Sequence, residues 1–452
     1  MDIRPQRKDQ AAKPKSDLDV AKAKKFSEAI GENTESSTSA DKVAESTPET
    51  SDTSSPPSPP MEKTKKRFWK DWSKKQRTVF VVILVAVIAA AAFLTYWYGF
   101  AQRGEIEEPP PPEEEPTGPL TRSPLTGIEM PPATAEQTPM AIVIENLTTV
   151  RPQSGMSRAD VVYEFLAEGG ITRFLVIFAS NDVLEPDLIG PVRSLREYFV
   201  PVGLELLAPV YHVGGAPNAL ARARDWGMRD VNQFFDSKYF WRDSSVNGQG
   251  APHNMWTRMP EVKYAVRDHS WPQDDGKNLR AWEFTDEAEE NERGTITQIH
   301  IPFSNGRYNV SWVYDKTKNR FDRYQGDGTD EPHLDRNNDE QLTARNIVVQ
   351  YCESYPLPGD DKSRIVIHNE EGEGDALAFF NGEVIEATWK KENHDARTIF
   401  YKRGTDEEIE FIPGQFWVEV VPNDKEVYWE EEGDLSGEEE ETVETETGEE
   451  VL

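Results

Sequence analysis

The sequence has almost no cysteine and lacks the common catalytic signatures. Cys352 is the single cysteine among 452 residues, so neither an intrachain disulfide nor a zinc site built on several thiolates can form. We expect this thiol to be buried in a strand. No GxSxG, HExxH, P-loop or GxGxxG motif occurs, and the seven histidines lack metal-binding spacing. We therefore predict no metal and no cofactor.

Basic residues are fewer than acidic residues in this chain. Lysine and arginine total 50 against 82 acidic residues, which gives a formal net charge of −32. Residues 430–452 alone contain twelve acidic and no basic residues. Such a segment repels itself and cannot bury a core, so it predicts a disordered tail. Binding to nucleic acid is excluded as a general function, because phosphate contacts require a positive surface.

Charged residues are absent from one long apolar run, at 78–100. A helix of this length would cross a bilayer at about 1.5 Å per residue. The preceding residues, 62–77, contain eight basic and two acidic side chains. The positive-inside rule therefore predicts a single-pass signal anchor, with a cytoplasmic N-terminus and the folded region outside the cytoplasmic membrane.

Composition divides the chain into six segments. The polar residues before the basic flank lack apolar periodicity, which predicts disorder. The Pro/Glu-rich run after the apolar segment also lacks apolar periodicity, and its composition predicts a semi-rigid stalk. The predicted segments are a disordered cytoplasmic part (1–61), the flank and transmembrane helix (62–100), the stalk (101–139), a first domain (140–294), a second domain (295–423) and an acidic tail (424–452).

The folded region predicts an α+β protein with a mixed α/β first half and an antiparallel, β-rich second half. Runs at 160–167 and 171–180 flank Gly169-Gly170 and predict a β-hairpin. Apolar spacing over 194–208 predicts a helix with Ser194 as its N-cap. From 295 onward, short apolar strands alternate with turns, and Asn381-Gly382 predicts a tight hairpin turn.

A group of polar residues beside glycine and proline predicts a binding pocket. Arginine binds carboxylate or phosphate through two parallel hydrogen bonds, and loops at strand ends converge on ligands. The alternative is that these arginines pair with carboxylates inside the fold. The predicted ligand-binding residues are Arg151, Arg173, Arg193, Arg196, His212, Arg242, Asp243, His253 and Asn254.

The same region offers a weaker catalytic set. His212 or His253 would act as the base, Asp243 would orient it, and Ser194 or Ser154 would be the nucleophile. Sequence spacing does not bring these side chains together. We leave open whether the protein is an enzyme, and the missing motifs favour binding over catalysis.

Several motifs in order resemble the YerB-like bacterial envelope proteins. They are RPQSG at 151–155, ADVVYE at 159–164, EGGITRF at 168–174, IGPVRS at 189–194, HVGG at 212–215, FWRD at 240–243, PHN at 252–254, TWK at 388–390 and PGQFW at 413–417. The resemblance covers about 138–422 and implies an envelope location but no mechanism. Family members are often anchored through an N-terminal lipobox cysteine, which this chain lacks.

These observations predict a membrane-anchored binding protein of the cell envelope. Its expected ligand is anionic and wall-related, such as a glycan, a peptide carboxylate or a teichoic phosphate, or it is a partner protein. One alternative is a hydrolase or transferase that acts on wall polymers. The other is a protein scaffold without a small ligand.

Overall fold

The chain divides into two compact units, residues 1–108 and 109–452. In the first unit, the structure describes a single helix. The computed structural model describes residues 73–101, 118–179, 188–360 and 364–433, without side chains for residues 77, 92 and 95–101. The predicted cytoplasmic segment 1–61 lies outside the described residues. So do 102–117 of the predicted stalk and 434–452 of the predicted tail.

Helix α1 (Lys74–Ala101) occupies the apolar run. Its described side chains are exposed, including Val82, Ile88 and Leu94. Over the described residues, none of the helices combines the length and the apolar character that crossing a membrane requires. The predicted transmembrane helix at 78–100 is therefore not confirmed.

The second unit contains four short helices and 23 strands among its described residues. The helices are α2 (Pro132–Ala135), α3 (Phe199–Glu205), α4 (Pro217–Asp225) and α5 (Met259–Asp268). The strands are β1 (Thr121–Arg122), β2 (Glu129–Met130), β3 (Met140–Glu145), β4 (Val161–Leu166), β5 (Thr172–Phe178), β6 (Val210–His212), β7 (Asp230–Asn232), β8 (Trp241–Arg242), β9 (Met255–Trp256), β10 (Glu283–Phe284), β11 (Ile296–Ile301), β12 (Val310–Asp315), β13 (Arg320–Gln325), β14 (Thr343–Ala344), β15 (Asn346–Cys352), β16 (Ser354–Pro356), β17 (Ile365–Ile367), β18 (Gly372–Phe380), β19 (Glu383–Lys391), β20 (Ile399–Lys402), β21 (Glu410–Phe411), β22 (Phe416–Pro422) and β23 (Tyr428–Glu431).

A ten-stranded sheet takes strands from both predicted halves. Its order is β20-β19-β18-β15-β22-β4-β5-β3-β6-β7. Strands β3, β6 and β7 run parallel, as do β15, β22 and β4, whereas β5 is antiparallel to its neighbours β3 and β4. The mixed, strand-rich fold with few helices is thus confirmed.

Both faces of this sheet are buried. Alternate residues of β3 point to opposite faces, because successive side chains in a strand do so. Ala141 and Val143 pack in the cluster that contains Phe199 of α3, whereas Ile142 and Ile144 pack in the cluster that contains Trp312 of β12. Strand β12 belongs to a second, five-stranded antiparallel sheet with the order β14-β13-β12-β11-β23. The second sheet therefore covers one face of the first.

Three local predictions are confirmed. Strands β4 and β5 form the predicted hairpin around Gly169-Gly170. Asn381 and Gly382 have φ values of 52° and 68° and connect β18 to β19 as a tight turn. Cys352 is buried at the end of β15, and burial raises the pKa of its thiol.

Two local predictions are wrong. The second half is not purely antiparallel, because β22 pairs in parallel with both β15 and β4. All seven residues of β22 are buried, as is typical of a strand covered on both faces. The helix predicted over 194–208 begins only at Phe199, and Ser194 does not cap it. Residues 193 and 195 instead make extended backbone hydrogen bonds to Val143 and Gly214.

Candidate ligand-binding site

A cleft of roughly 760 Å³, with several charged residues in its lining, lies between the turn that follows β3 and the loops of the second sheet. One wall is formed by Thr148, Arg151 and Pro152. The opposite side comes from the turn between β11 and β12 and from the loop that follows β13. Its lining residues are Gly306, Arg307, Gln325, Gly326, Asp327, Gly328, Asp330, Glu331, Pro332 and Leu334.

Arg151 is held in a defined orientation at this cleft. Its Nε donates a hydrogen bond to Asn146 Oδ1 at 2.9 Å, and its guanidinium carbon lies 5.2 Å from the centre of the Tyr308 ring. Burial, followed by the charge of Arg323, lowers the pKa of Arg151 to about 10. The side chain therefore remains a cation at neutral pH, and its desolvation makes it a strong partner for an anion.

A chain of buried polar groups connects Arg151 to the core. Arg323 Nη1 donates to His333 Nδ1, so the imidazole proton lies on Nε2. That nitrogen donates to Gln153 Oε1 at 2.7 Å, and Gln153 Nε2 donates to Asn146 Oδ1 at 2.8 Å. Burial and then Arg323 lower the pKa of His333 well below its usual value, which agrees with a neutral ring. The network positions Asn146, which in turn holds Arg151.

The inner end of this network is a pair of carboxyl groups. Glu164 of β4 and Glu419 of β22 are register partners on adjacent strands, and both are fully buried. Arg323 Nη2 donates to Glu164, and Trp312 Nε1 donates to Glu419 Oε1 at 3.1 Å. Burial and the proximity of Glu164 raise the pKa of Glu419 well above its usual range. We infer that Glu419 holds a proton at neutral pH.

Two further predicted residues converge on Glu145, the last residue of β3. Arg193 Nε lies 3.0 Å from Glu145 Oε1, and His253 Nδ1 lies 3.0 Å from both carboxylate oxygens. Arg193 Nη1 also donates to the carbonyl of Pro252 at 3.4 Å. Because Glu145 is almost completely buried, Arg193 pairs with a carboxylate inside the fold, and His253 contacts the same group.

Arg173 and Arg196 share a second carboxylate, Glu168. Arg173 Nη2 lies 3.5 Å from Glu168 Oε2, and Arg196 Nε donates to Glu168 Oε1. Burial and the charge of Arg196 lower the pKa of Arg173 to about 10. Burial alone would raise the pKa of Glu168, but the two arginines together outweigh it and lower that pKa. Arg173 Nη1 also donates to the carbonyl of Ser194 at 3.2 Å.

The other predicted residues make separate local contacts. The buried His212 donates from Nδ1 to the carbonyl of Gly214 at 2.7 Å, and its Nε2 lies 2.5 Å from Asp230 Oδ1. Arg242 Nη1 donates to Asn254 Oδ1 at 3.0 Å. In the described part of the chain, Arg151 is thus the only member of the predicted binding set that lines the cleft.

The predicted catalytic set does not form a connected group among the described contacts. Asp243 accepts hydrogen bonds from the amide and hydroxyl of Ser245, and these bonds lower its pKa. Its carboxylate therefore orients neither His212 nor His253. Ser154 Oγ is buried without a hydrogen-bond partner in the described residues.

One serine–histidine–glutamate series escaped the sequence analysis. His300 Nε2 lies 3.1 Å from Glu430 Oε1, and Ser311 Oγ lies 3.4 Å from His300 Nδ1. His300 and Ser311 are register partners of β11 and β12, a relation that sequence spacing does not reveal. Ser311 is fully buried, so a substrate cannot reach its hydroxyl.

The remaining cleft residues also escaped the sequence analysis. Gln325, Asp327, Asp330 and Glu331 occur in the stretch QGDGTDEP at 325–332, whose composition indicates only a turn. Their approach to Arg151 depends on the packing of the second sheet against the first.

These features define a mixed α/β protein with two large sheets and a cleft lined by loops that follow strands of both. Residues 125–272 match the N-terminal domain of a protein family of unknown function, DUF3048, and residues 299–418 match its C-terminal domain. The chain belongs to this family, which confirms the YerB-like resemblance.

A curated relative and a solved structure agree with this assignment. The chain is 32% identical over 303 residues to "Putative lipoprotein YerB" of Bacillus subtilis (strain 168), which covers 67% of this chain and 86% of the relative. It is also similar to the crystal structure of the YerB protein from Bacillus subtilis, with 29% identity and a TM-score of 0.60. That match covers 69% of this chain and all of the solved chain.

Proposed function

We propose that this protein is a membrane-anchored binding protein of the bacterial cell envelope. Its cleft would bind a wall-related ligand through a carboxylate that pairs with Arg151. The relative named "Putative lipoprotein YerB" supports an envelope location. The ordered guanidinium at the cleft supports recognition of an anion.

The observation that carries the binding proposal is the geometry of Arg151. Asn146 Oδ1 accepts a hydrogen bond from Arg151 Nε, and the guanidinium carbon lies 5.2 Å from the centre of the Tyr308 ring. Its two Nη groups have no hydrogen-bond partner among the described residues, although the side chain lines the cleft. Arg173, Arg193 and Arg196 differ in that each contacts a carboxylate of the protein. Arg151 is therefore the arginine of the set best placed to accept a carboxylate from outside.

The sequence at 62–100 supports the membrane part of the proposal. Val82, Ile88 and Leu94 are 61%, 60% and 65% exposed, although each has an apolar side chain. The sequence carries no charge from 78 to 100, and eight basic residues occur at 62–77. Exposed apolar surface on such a helix is stable in lipid, and the basic flank favours the cytoplasmic side.

Binding is tested with the full-length chain in a mild detergent and muropeptides from a muramidase digest of cell wall. Calorimetry would compare wild type with Arg151→Ala. We expect affinity to fall at least roughly tenfold, because a charge-assisted hydrogen bond contributes about 1.5–3 kcal/mol. Arg224→Ala is the matched control, since that side chain is 70% exposed and lies outside the cleft.

Equal affinity in wild type and Arg151→Ala would contradict the cleft assignment. Absence of binding by folded wild type would instead favour the protein-scaffold alternative. The anchor is tested separately by alkaline extraction of membranes. We expect the intact chain to remain in the pellet and a chain without 78–100 to be released. Release of both would contradict an integral membrane anchor.

A further inference from the structure

The cleft contains charges of both signs. Arg151 and Arg307 contribute two cations to its lining, whereas Asp327, Asp330 and Glu331 contribute three carboxylates. Asp330, Glu331 and Arg307 are exposed, so their charges are available to a ligand. A ligand with only negative charges would gain from the arginines but be repelled by the acidic side. Such repulsion selects against polyanions such as a teichoic phosphate.

The acidic side of the cleft is a firmly held loop. Gln325 N donates to Glu331 O at 2.9 Å, and Gly326 N donates to Asn309 O at 2.8 Å. Asn309 Nδ2 also donates to the carboxylate of Asp327. These bonds hold the backbone of the loop after β13 and the Asp327 carboxylate in place before any ligand arrives.

Close packing explains a glycine at the edge of this loop. A Cβ added to Gly306 would lie 2.4 Å from Asp327 Oδ2. Any other residue at this position would displace the carboxylate. Gly306 therefore allows the turn between β11 and β12 to approach the acidic loop.

The acidic side presents exposed hydrogen-bond acceptors. Asp330 and Glu331 are exposed, and both line the cleft. Their carboxylates are suited to an ammonium group, which has three donors and no acceptor.

We propose that the cleft binds a zwitterionic ligand, with its carboxylate on Arg151 and its ammonium group on the side formed by Asp330 and Glu331. The chemical class is a short peptide, or a peptide-bearing wall fragment, with a free amino group and a free carboxylate. This inference rests on the proposed function, since both place the carboxylate at Arg151. It adds that the acidic side recognises a positive group of the same ligand.

The test uses three preparations of the same muropeptides with the full-length chain in detergent. One is untreated, one has its amino groups acetylated, and one has its carboxylates amidated. We expect the untreated preparation to bind at least roughly tenfold more tightly than either blocked preparation, because each block removes one charged interaction.

A double variant, Asp330→Asn/Glu331→Gln, isolates the acidic side. Both side chains are exposed, so the variant is expected to fold, and its thermal unfolding would be compared with wild type. We expect it to bind untreated and acetylated preparations equally. Arg151→Ala should instead bind the untreated and amidated preparations with equal affinity.

The outcomes separate the two proposals. In one outcome, wild type binds untreated and acetylated preparations equally and still requires Arg151. That result would contradict the zwitterionic-ligand proposal but leave the proposed function standing. Equal binding of untreated and amidated preparations would overturn both proposals. Absence of binding for all three preparations by folded protein would also overturn both.

Discussion

Replacing Glu419 with glutamine tests the inference that Glu419 holds a proton in the folded protein. Glu419 and Glu164 lie side by side on β22 and β4, and both are inaccessible to solvent. Arg323 supplies one positive charge, through its bond to Glu164. Glutamine has nearly the same shape as protonated Glu419. Its amide oxygen can accept from Trp312 Nε1, and its amide nitrogen can donate toward Glu164.

The effect on stability depends on pH. The ordinary pKa of Glu419 is 4.5, and burial beside Glu164 raises its pKa in the folded protein. Above pH 4.5 the unfolded chain releases this proton, whereas the folded protein retains it. The folded state then binds more protons, so the free energy of unfolding falls as pH rises, by about 1.4 kcal/mol per pH unit up to the folded pKa. Glutamine at this position binds no such proton, so the variant does not lose free energy of unfolding in this way as the pH rises.

We therefore expect the stability of Glu419→Gln relative to wild type to rise as the pH goes from 5 to 7, with an upper limit of about 1.4 kcal/mol per pH unit. Urea unfolding of residues 109–452, which form a compact unit, would measure it at both pH values. Glu392→Gln is the control, because Glu392 is exposed and its replacement should leave the wild-type pH dependence unchanged. A difference between Glu419→Gln and wild type that is the same at both pH values would refute a proton at Glu419.

Two other predictions concern buried charge and backbone conformation. Glu205→Gln should destabilise the protein by about 3–5 kcal/mol in urea unfolding, because it leaves the buried cations Lys391 and Arg397 without their carboxylate; a change below about 1 kcal/mol would show that these cations are otherwise compensated. Gly404→Ala should cost about 1–2 kcal/mol, since φ is 73° and a Cβ there meets open space. Gly382→Ala should cost more, because its Cβ would lie 2.5 Å from an aromatic ring carbon, and equal melting temperatures for the two variants would contradict this clash.

Local features of the fold could be predicted where the signal lies in neighbouring residues. The hairpin of β4 and β5 follows from two apolar runs around Gly169-Gly170, and the turn at Asn381-Gly382 follows from two residues that tolerate positive φ. The helix predicted from Ser194 begins late, because the backbone of Arg193 and Leu195 hydrogen-bonds to Val143 and Gly214, which are distant in sequence.

Pairing between distant strands could not be predicted. The sequence of β22 is compatible with either direction of pairing, and its parallel neighbours β15 and β4 begin about 70 and 255 residues earlier. The position of β22 between them joins the two predicted halves in one sheet. It also brings Glu419 beside Glu164, a relation that no local pattern contains.

The sequence by itself determined the composition-dependent properties of this protein. These are the acidic tail, the uncharged run at 78–100, the single buried thiol, the mixed strand-rich fold and the family. It also identified Arg151 as a candidate, because an arginine beside a proline turn is recognisable locally. Only the tertiary structure decided which arginines are already paired: Glu145 and Glu168 neutralise Arg193, Arg173 and Arg196, whereas Arg151 faces a cleft. The physical reason is that charge recognition depends on distance and burial, which packing sets between residues far apart in the chain.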